Sequence, residues 1–423
     1  MGVFLGRLGG CLMVAFVLLL ALRGLARLGW LPRPALACLP AFLKTPSSPC
    51  RLQEARPPAW RVQAGVFLAG VAALWLFALL GWLTLGQPGG LPAFWGHFWQ
   101  RFTTAGDSPH YLFLARYGYQ PAGEKANLLV FYPLYPLCIR ALAAVTGSYE
   151  ASGLVVSQVC WGLACVTLLR LAALYWPVRR AVWAVAFFAL YPFSFFGLGV
   201  YTEGLFLLLC LQCLYRLQLG QWGRAGALGF LAALCRVQGL LLFLPAVYLW
   251  LTSVRRGQRQ GVRGLALLLI PAGFGAYLLL NRAVSGQWFR FLEYEAAPPW
   301  YQSTRWVAQN LAQHYDMALA HPGLARFIYW PQLALYFIAM GLLLYGLFTA
   351  APTSWLLYGG AYLGMSYLAG WLISGGRYML GCLPLYLLLA RPRRAWVRAL
   401  WLGGTAAACF FYNMYFMQGQ AIM

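Results

Sequence analysis

Residues 65 to 86 read GVFLAGVAALWLFALLGWLTLG, a stretch without one charged side chain. A helix crossing the hydrocarbon of a bilayer needs about 20 predominantly apolar residues, and this segment supplies them. It is not isolated. Residues 152–174, 181–199, 203–219, 264–281, 330–350, 354–373, 377–390 and 395–414 are further candidates. Residues 11–32 are ambiguous because Arg23 and Arg27 interrupt them: a signal peptide, an interfacial helix or a first span would fit, and the absence of an obvious small-residue cleavage site favours the last. Composition agrees: of 423 residues 62% are hydrophobic and 9% charged, with a mean hydropathy of +0.67. A soluble globule could not hide that much apolar surface from water. The expectation is an all-α polytopic transmembrane protein, a single domain over 1–423.

Net charge is +23, from 31 Lys and Arg against 8 Asp and Glu. In a polytopic chain such an excess marks cytoplasmic loops; no basic helix or aromatic-basic module accompanies it, so nucleic acid is not an expected partner. Arg51, Arg56 and Arg61 make 33–62 a cytoplasmic segment, and 65–86 then exits. The stretch 87–150 begins the first outer loop. Within it, Pro133 and Pro136 argue that the apolar run 128–146 lies in the interface rather than crossing. The block 225–251 carries Arg236 and reads as two half-helices broken around Arg236 to Gly239, and 282–329 is a second outer loop. This topology puts every Arg cluster inside and all the acids except Glu54 outside.

The 11 cysteines lie mostly in apolar runs and read as small buried hydrophobes, the Cys210/Cys213 pair included. His97, His110, His314 and His321 form no ligand pattern, so neither a metal nor another cofactor is expected. The scarce acids carry more information. Asp107, between Gly106 and Pro109, either caps the helix that follows or serves as a general base at the mouth of a cavity, with His110 and Tyr111 beside it. Glu203, after Tyr201 and Thr202, either favours the positive end of its helix or binds substrate. Arg236, with Gln238 close behind, sits in an apolar run and is either half of a buried ion pair or a phosphate ligand. Arg377 and Tyr378 place a second cation at the outer surface, whose alternative is a snorkelling anchor. The mixed aromatic and charged loop 285–329 suits interfacial helices or a lid over a lipid-linked sugar equally well.

These residues resemble the PIG-V-type mannosyltransferases and more closely their bacterial relatives. The family pattern is Trp-Asp-x-x-His-Tyr/Phe-Leu-x-Ile-Ala-x-x-Gly-Tyr followed by Phe-Phe-Pro-x-x-Pro. The chain reads Gly106-Asp107-Ser108-Pro109-His110-Tyr111-Leu112-Phe113-Leu114-Ala115-Arg116-Tyr117-Gly118-Tyr119, then Phe131-Tyr132-Pro133-Leu134-Tyr135-Pro136. Tyr201-Thr202-Glu203-Gly204, the Arg-x-x-Gly at Arg236 to Gly239, and Arg377-Tyr378 follow in the same order. Gly106 replaces the usual Trp and Gly204 a usual Ser or Ala, which leaves Asp107 in place and alters the pocket's shape.

The resemblance implies a GT-C glycosyltransferase architecture, about 9 to 12 membrane helices with outer-face interfacial helices. It also implies a polyprenyl- or dolichyl-phosphate sugar donor, inverting transfer to a lipid-linked or glycan acceptor on the outer face, and Asp107 as catalytic base. His110, Tyr111, Tyr201, Glu203, Arg236, Gln238, Arg377 and Tyr378 would bind substrate. The expected location is a bacterial plasma membrane, or the endoplasmic reticulum if the host is eukaryotic. The rivals are a transporter or lipid flippase, which predicts charges at midplane depth and matching halves, and a non-catalytic assembly subunit. No matching halves are visible in the sequence, and the acids gather at one face.

Overall fold

The computed structural model describes residues 1–44, 57–86, 89–257, 261–370 and 374–420, and these are mainly helical, without a strand. Six stretches are long and apolar enough to cross a membrane, among them Gly2–Arg27, Trp60–Leu83, Tyr149–Ala173 and Val262–Ser285, which makes this a multi-pass membrane protein.

The principal helices are α1 (Gly2–Arg27), α2 (Trp60–Leu83), α3 (Gly90–Thr104), α4 (Ser108–Tyr117), α5 (Leu134–Thr146), α6 (Tyr149–Ala173), α7 (Val178–Ala189), α8 (Glu203–Gln218) and α9 (Trp222–Cys235). They continue with α10 (Phe243–Arg255), α11 (Leu269–Ser285), α12 (Arg290–Ala296), α13 (Val307–Ala320), α14 (Trp330–Phe348), α15 (Thr353–Leu368), α16 (Gly375–Met379), α17 (Pro384–Leu389) and α18 (Ala395–Met417). In lipid there is no hydrophobic drive between helices, so close approach depends on small residues. A Cβ on Gly6 of α1 would lie 2.2 Å from the Ala308 carbonyl oxygen of α13. One on Gly204 of α8 would lie 2.3 Å from the Ser157 oxygen of α6, and one on Gly226 of α9 2.0 Å from that of Ala266.

Arginines gather at one end of the bundle. Arg170 bonds Gln63, Arg180 the Ala390 and Arg391 carbonyls, Arg255 the Gly29 carbonyl and Arg27 the Thr353 hydroxyl. Asp107, Glu150, Glu203 and Asp316 lie toward the other end.

Several expectations need correction. Arg23 and Arg27 do not interrupt the first helix, which runs continuously from Gly2. Arg23 is fully buried and donates to the Leu347 carbonyl, in the last turn of α14, and to the Ala351 carbonyl in the link to α15. The expected span 181–199 stops at Ala189, followed by Pro192 and a short 3-10 turn, Ser194–Gly197. The expected span 377–390 is two short helices separated at Gly381 to Leu383, because Pro384 cannot continue a helix begun before it. The run at 128–146 is not one helix: it is split between the 3-10 turn Ala126–Val130 and α5, which starts after Pro133 and whose 13 residues are too few for a full crossing, in keeping with a segment that does not cross. The expected span 354–373 ends as helix at Leu368, and residues 371–373, like 45–56 of the expected cytoplasmic loop, lie outside the described residues.

Candidate functional site

Three chain interruptions converge at the end of the bundle away from the arginine belt. The first precedes α4. Gly106 takes a left-handed backbone (φ 58°), and a Cβ there would lie 2.9 Å from the Tyr201 hydroxyl. Asp107 follows at the N-cap position but makes no capping bond with its side chain. The capping alternative is therefore not realised: Asp107 Oδ2 accepts from Arg377 Nη1 at 2.6 Å. Among the described residues nothing bonds Oδ1, and the side chain is 31% exposed toward the cavity.

The second interruption lies between α9 and α10. Arg236 ends α9 in an extended conformation (φ −157°, ψ 147°) and a 3-10 turn, Val237–Leu242, leads into α10. The chain folds back so closely that a Cβ on Gly239 would sit 2.3 Å from the backbone of Ala232 and Ala233, which gives the Arg-x-x-Gly spacing its physical reason. The two half-helices expected around this arginine are present. Arg236 Nη1 donates to Glu203 Oε1 at 2.9 Å.

The third is the Gly375-Gly376-Arg377 turn. A Cβ on Gly376 would meet the Phe193 ring at 2.2 Å, and the Tyr191 hydroxyl donates to the Gly376 carbonyl. Arg377 is thereby drawn inward. Its snorkelling alternative is overturned, for the side chain is 8% exposed and its Nε donates to Glu203 Oε1 at 2.5 Å. The guanidinium lies 4.4 Å from the Phe196 ring centre and 4.9 Å from that of Tyr201, whose hydroxyl donates to the Ala105 carbonyl. Aromatic faces favour a cation placed so.

Asp107, Arg377, Glu203 and Arg236 thus form one chain of alternating charge, formally neutral, with Glu203 2% exposed at its centre. Thr202 caps nothing and Glu203 does more than favour a helix end: it fixes both cations. Among the described residues Arg236 uses one of the five donors a guanidinium carries, in its bond to Glu203. Its side chain is 15% exposed, so it retains capacity for an anion.

The cluster lines a cavity of about 620 Å³, together with His110, Tyr111, Tyr201, Gln238 and Tyr378. Every residue anticipated from sequence as a substrate-site member except Glu203 borders this space, and Glu203 stands behind it as the buried clasp. His110 packs its ring against Phe131, and burial lowers its imidazole from the ordinary histidine value, which favours the neutral ring. Tyr111 is edge-on to both Phe131 and Tyr135, so it shapes the wall. Sequence reasoning missed Arg101, Glu295, Trp300 and Gln302, which also border the cavity. The last three come from the loop 285–329, whose composition had left lid and interfacial helix equally open. The one available signal was Glu295, because acids are so few in this chain.

A second, larger space of about 970 Å³ runs along α1, α10 and α15, walled by apolar side chains such as Phe16, Val17, Leu244 and Leu357. Val237, Gln238, Glu295, Gln302 and Tyr378 border both spaces. The charged cavity and the apolar groove therefore adjoin at a neck of mainly polar side chains.

Among the described residues no group of three His, Cys, Asp or Glu side chains could hold a metal ion. Cys210 and Cys213 are buried, and Cys213 faces the Ala225 carbonyl. Compared with family models, curated proteins and solved structures, the chain matches none.

Proposed function

We propose that the protein is a membrane glycosyltransferase of the GT-C kind, moving a sugar, mannose by the motif resemblance, from a polyprenyl- or dolichyl-phosphate donor to an acceptor hydroxyl. The observation that carries this reading is the divided carboxylate of Asp107: one oxygen is clamped by Arg377 and the other faces a cavity that adjoins an apolar groove. A single-tailed lipid with a sugar head needs both compartments. The free oxygen takes the proton of the acceptor hydroxyl while that hydroxyl's oxygen bonds the anomeric carbon. The bond from that carbon to the phosphate oxygen breaks, with inversion, and the lipid phosphate leaves carrying the electron pair. Negative charge grows on the phosphate as the bond breaks, and fixed cations accelerate such a step by stabilising that charge without reorganising.

Helix lengths support an outer-leaflet position for the chemistry. The 16-residue α8 spans about 24 Å and the 14-residue α9 about 21 Å, against about 30 Å of hydrocarbon, so Glu203 and Arg236 reach the outer interface only through locally recessed protein. With the arginine belt taken as cytoplasmic, the six stretches long and apolar enough to cross, together with the shorter helices α7, α8, α9, α15, α16 with α17, and the 23-residue α18, are read as alternating in direction. A bacterial plasma membrane suits this orientation.

The direct test supplies purified protein in lipid with radiolabelled polyprenyl-phosphate mannose and candidate acceptors. Mannose appearing on an acceptor supports the reading, and movement of intact donor between leaflets without transfer supports a flippase instead. The groove makes a separate prediction. Gly364 of α15 borders it, and only the end of the Met13 side chain comes within 4.0 Å of an added Cβ. Gly364→Leu is expected to raise KM for a long-chain prenyl donor about tenfold, because filling the groove removes roughly 1.4 kcal/mol of apolar contact. A farnesyl donor should feel the change less. Equal effects on the two donors would show that the tail lies elsewhere.

A further inference from the structure

Glu295 occupies an unusual place for a carboxyl group. It belongs to the short helix α12, is half-buried, and borders both the charged cavity and the apolar groove. Its backbone carbonyl accepts from the Gln302 N–H at 2.7 Å, which holds it and Gln302 on the same side of the neck. Among the described residues no donor bonds its side chain. Glu293, on the same helix, pairs with Arg290 and faces away.

The titratable groups around it are Tyr132 after the turn Ala126–Val130, Tyr277 on α11 and Tyr378 on α16. Asp107, His110, Arg101, Arg236 and Arg377 stand on the other walls of the cavity. Arg236 and Arg377 are tied to Glu203 and Asp107, and Arg101 donates to the Phe416 carbonyl, so none of these cations is bonded to Glu295. A carboxyl with no cation and little water is disfavoured in its charged form, and burial pushes Glu295 up to about 7.

A lipid with one apolar tail and one charged head, lying across the two spaces, must put its head-to-tail junction where the apolar wall gives way to polar side chains. In a prenyl-phosphate sugar that junction is the phosphate. On the reading of the protein as a lipid-phosphate sugar transferase, we propose that the Glu295 carboxyl, in its neutral form, donates a hydrogen bond to the donor phosphate at the neck. Gln238, Gln302 and Tyr378 are the other polar groups there. The arrangement carries a consequence of sign: once ionised, Glu295 offers no proton and repels the phosphate, so donor affinity falls as pH rises.

The test is equilibrium binding of radiolabelled undecaprenyl methyl phosphate to the full chain in lipid nanodiscs at pH 6 and pH 8. This diester keeps one charge across the range, so the probe does not titrate. Wild-type affinity is expected to fall about tenfold between the two values, as a group of pKa about 7 passes from largely protonated to largely ionised. Glu295→Gln, which donates a hydrogen bond at any pH, should show a single affinity at both. Glu295→Leu should bind weakly at both. Every group other than residue 295 is common to all three proteins, so its contribution cancels in the comparison. Identical pH behaviour of wild type and Glu295→Gln, or tighter wild-type binding at pH 8, would overturn the proposal while leaving the transferase reading intact. Failure of the wild type to bind the probe at either pH would overturn both.

Discussion

Replacing Asp107 by asparagine is expected to lower the transfer rate by about 10²- to 10⁴-fold, the range over which a positioned general base acts. The amide has the size and shape of the carboxylate, and its oxygen can still accept from Arg377 Nη1, so the contact seen at 2.6 Å survives in neutral form. The side chain is partly exposed, which limits the stability cost of losing its charge. The distinguishing expectation concerns the donor. Asp107, Glu203, Arg236 and Arg377 sum to zero charge, and neutralising Asp107 leaves the cluster at +1. An anionic phosphate about 10 Å away would gain about 1.7 kcal/mol at an effective dielectric of 20. Donor binding should then be as tight as in wild type or tighter, with kcat falling and KM falling or unchanged. Steady-state kinetics with a polyprenyl-phosphate sugar and a separate donor-binding measurement check both parts. Near-normal turnover would exclude Asp107 as the base, and weakened donor binding would mean that it holds the sugar instead.

Much of this arrangement is legible in the amino-acid sequence because charged residues are so rare in the chain. Asp107, Glu203, Arg236 and Arg377 stand out one by one against apolar surroundings, and the structure brings all four together. Their pairing is not legible. Glu203 and Arg377 are 174 positions apart, and nothing in either local sequence names the other. For Asp107, Glu203 and Arg377 the alternatives were local ones, a cap, a helix end or a snorkelling anchor, and they gave way for the same reason that the buried ion pair expected as one reading of Arg236 is present: a charge near lipid goes to an opposite charge when the fold supplies one. Helix ends were read less well than helix existence. Hydropathy alone cannot see that Arg23 meets carbonyls in and just after the last turn of a neighbouring helix, nor that Pro192 and Pro384 divide runs of uninterrupted apolar character. Glu295 was visible as an acid and invisible as a cavity residue, since only the return of the 285–329 loop over the helix ends puts it at the neck.

Arg377 is expected to divide stability from catalysis. Its Nε holds Glu203 and its Nη1 holds Asp107, so one planar group spans two carboxylates. Arg377→Met removes the charge while preserving much of the volume between Phe196 and Tyr201. It leaves Glu203, 2% exposed, with Arg236 as its remaining cation, and Asp107 with none. Breaking a buried ion pair by deleting one partner costs about 3 to 5 kcal/mol, so a clear drop in thermal stability in detergent is expected together with loss of transfer. Arg377→Lys separates the two effects. An ammonium keeps the positive charge and can stay with the more buried Glu203, but a single nitrogen cannot also reach Asp107 in the geometry of the guanidinium fork. That variant should recover most of the lost stability and still transfer sugar at least about tenfold more slowly, because the oxygen of Asp107 that faces the acceptor is no longer aimed. A lysine variant with full activity would mean that charge alone matters at this position. One as unstable as the methionine variant would mean that Glu203 requires the bidentate fork to remain buried.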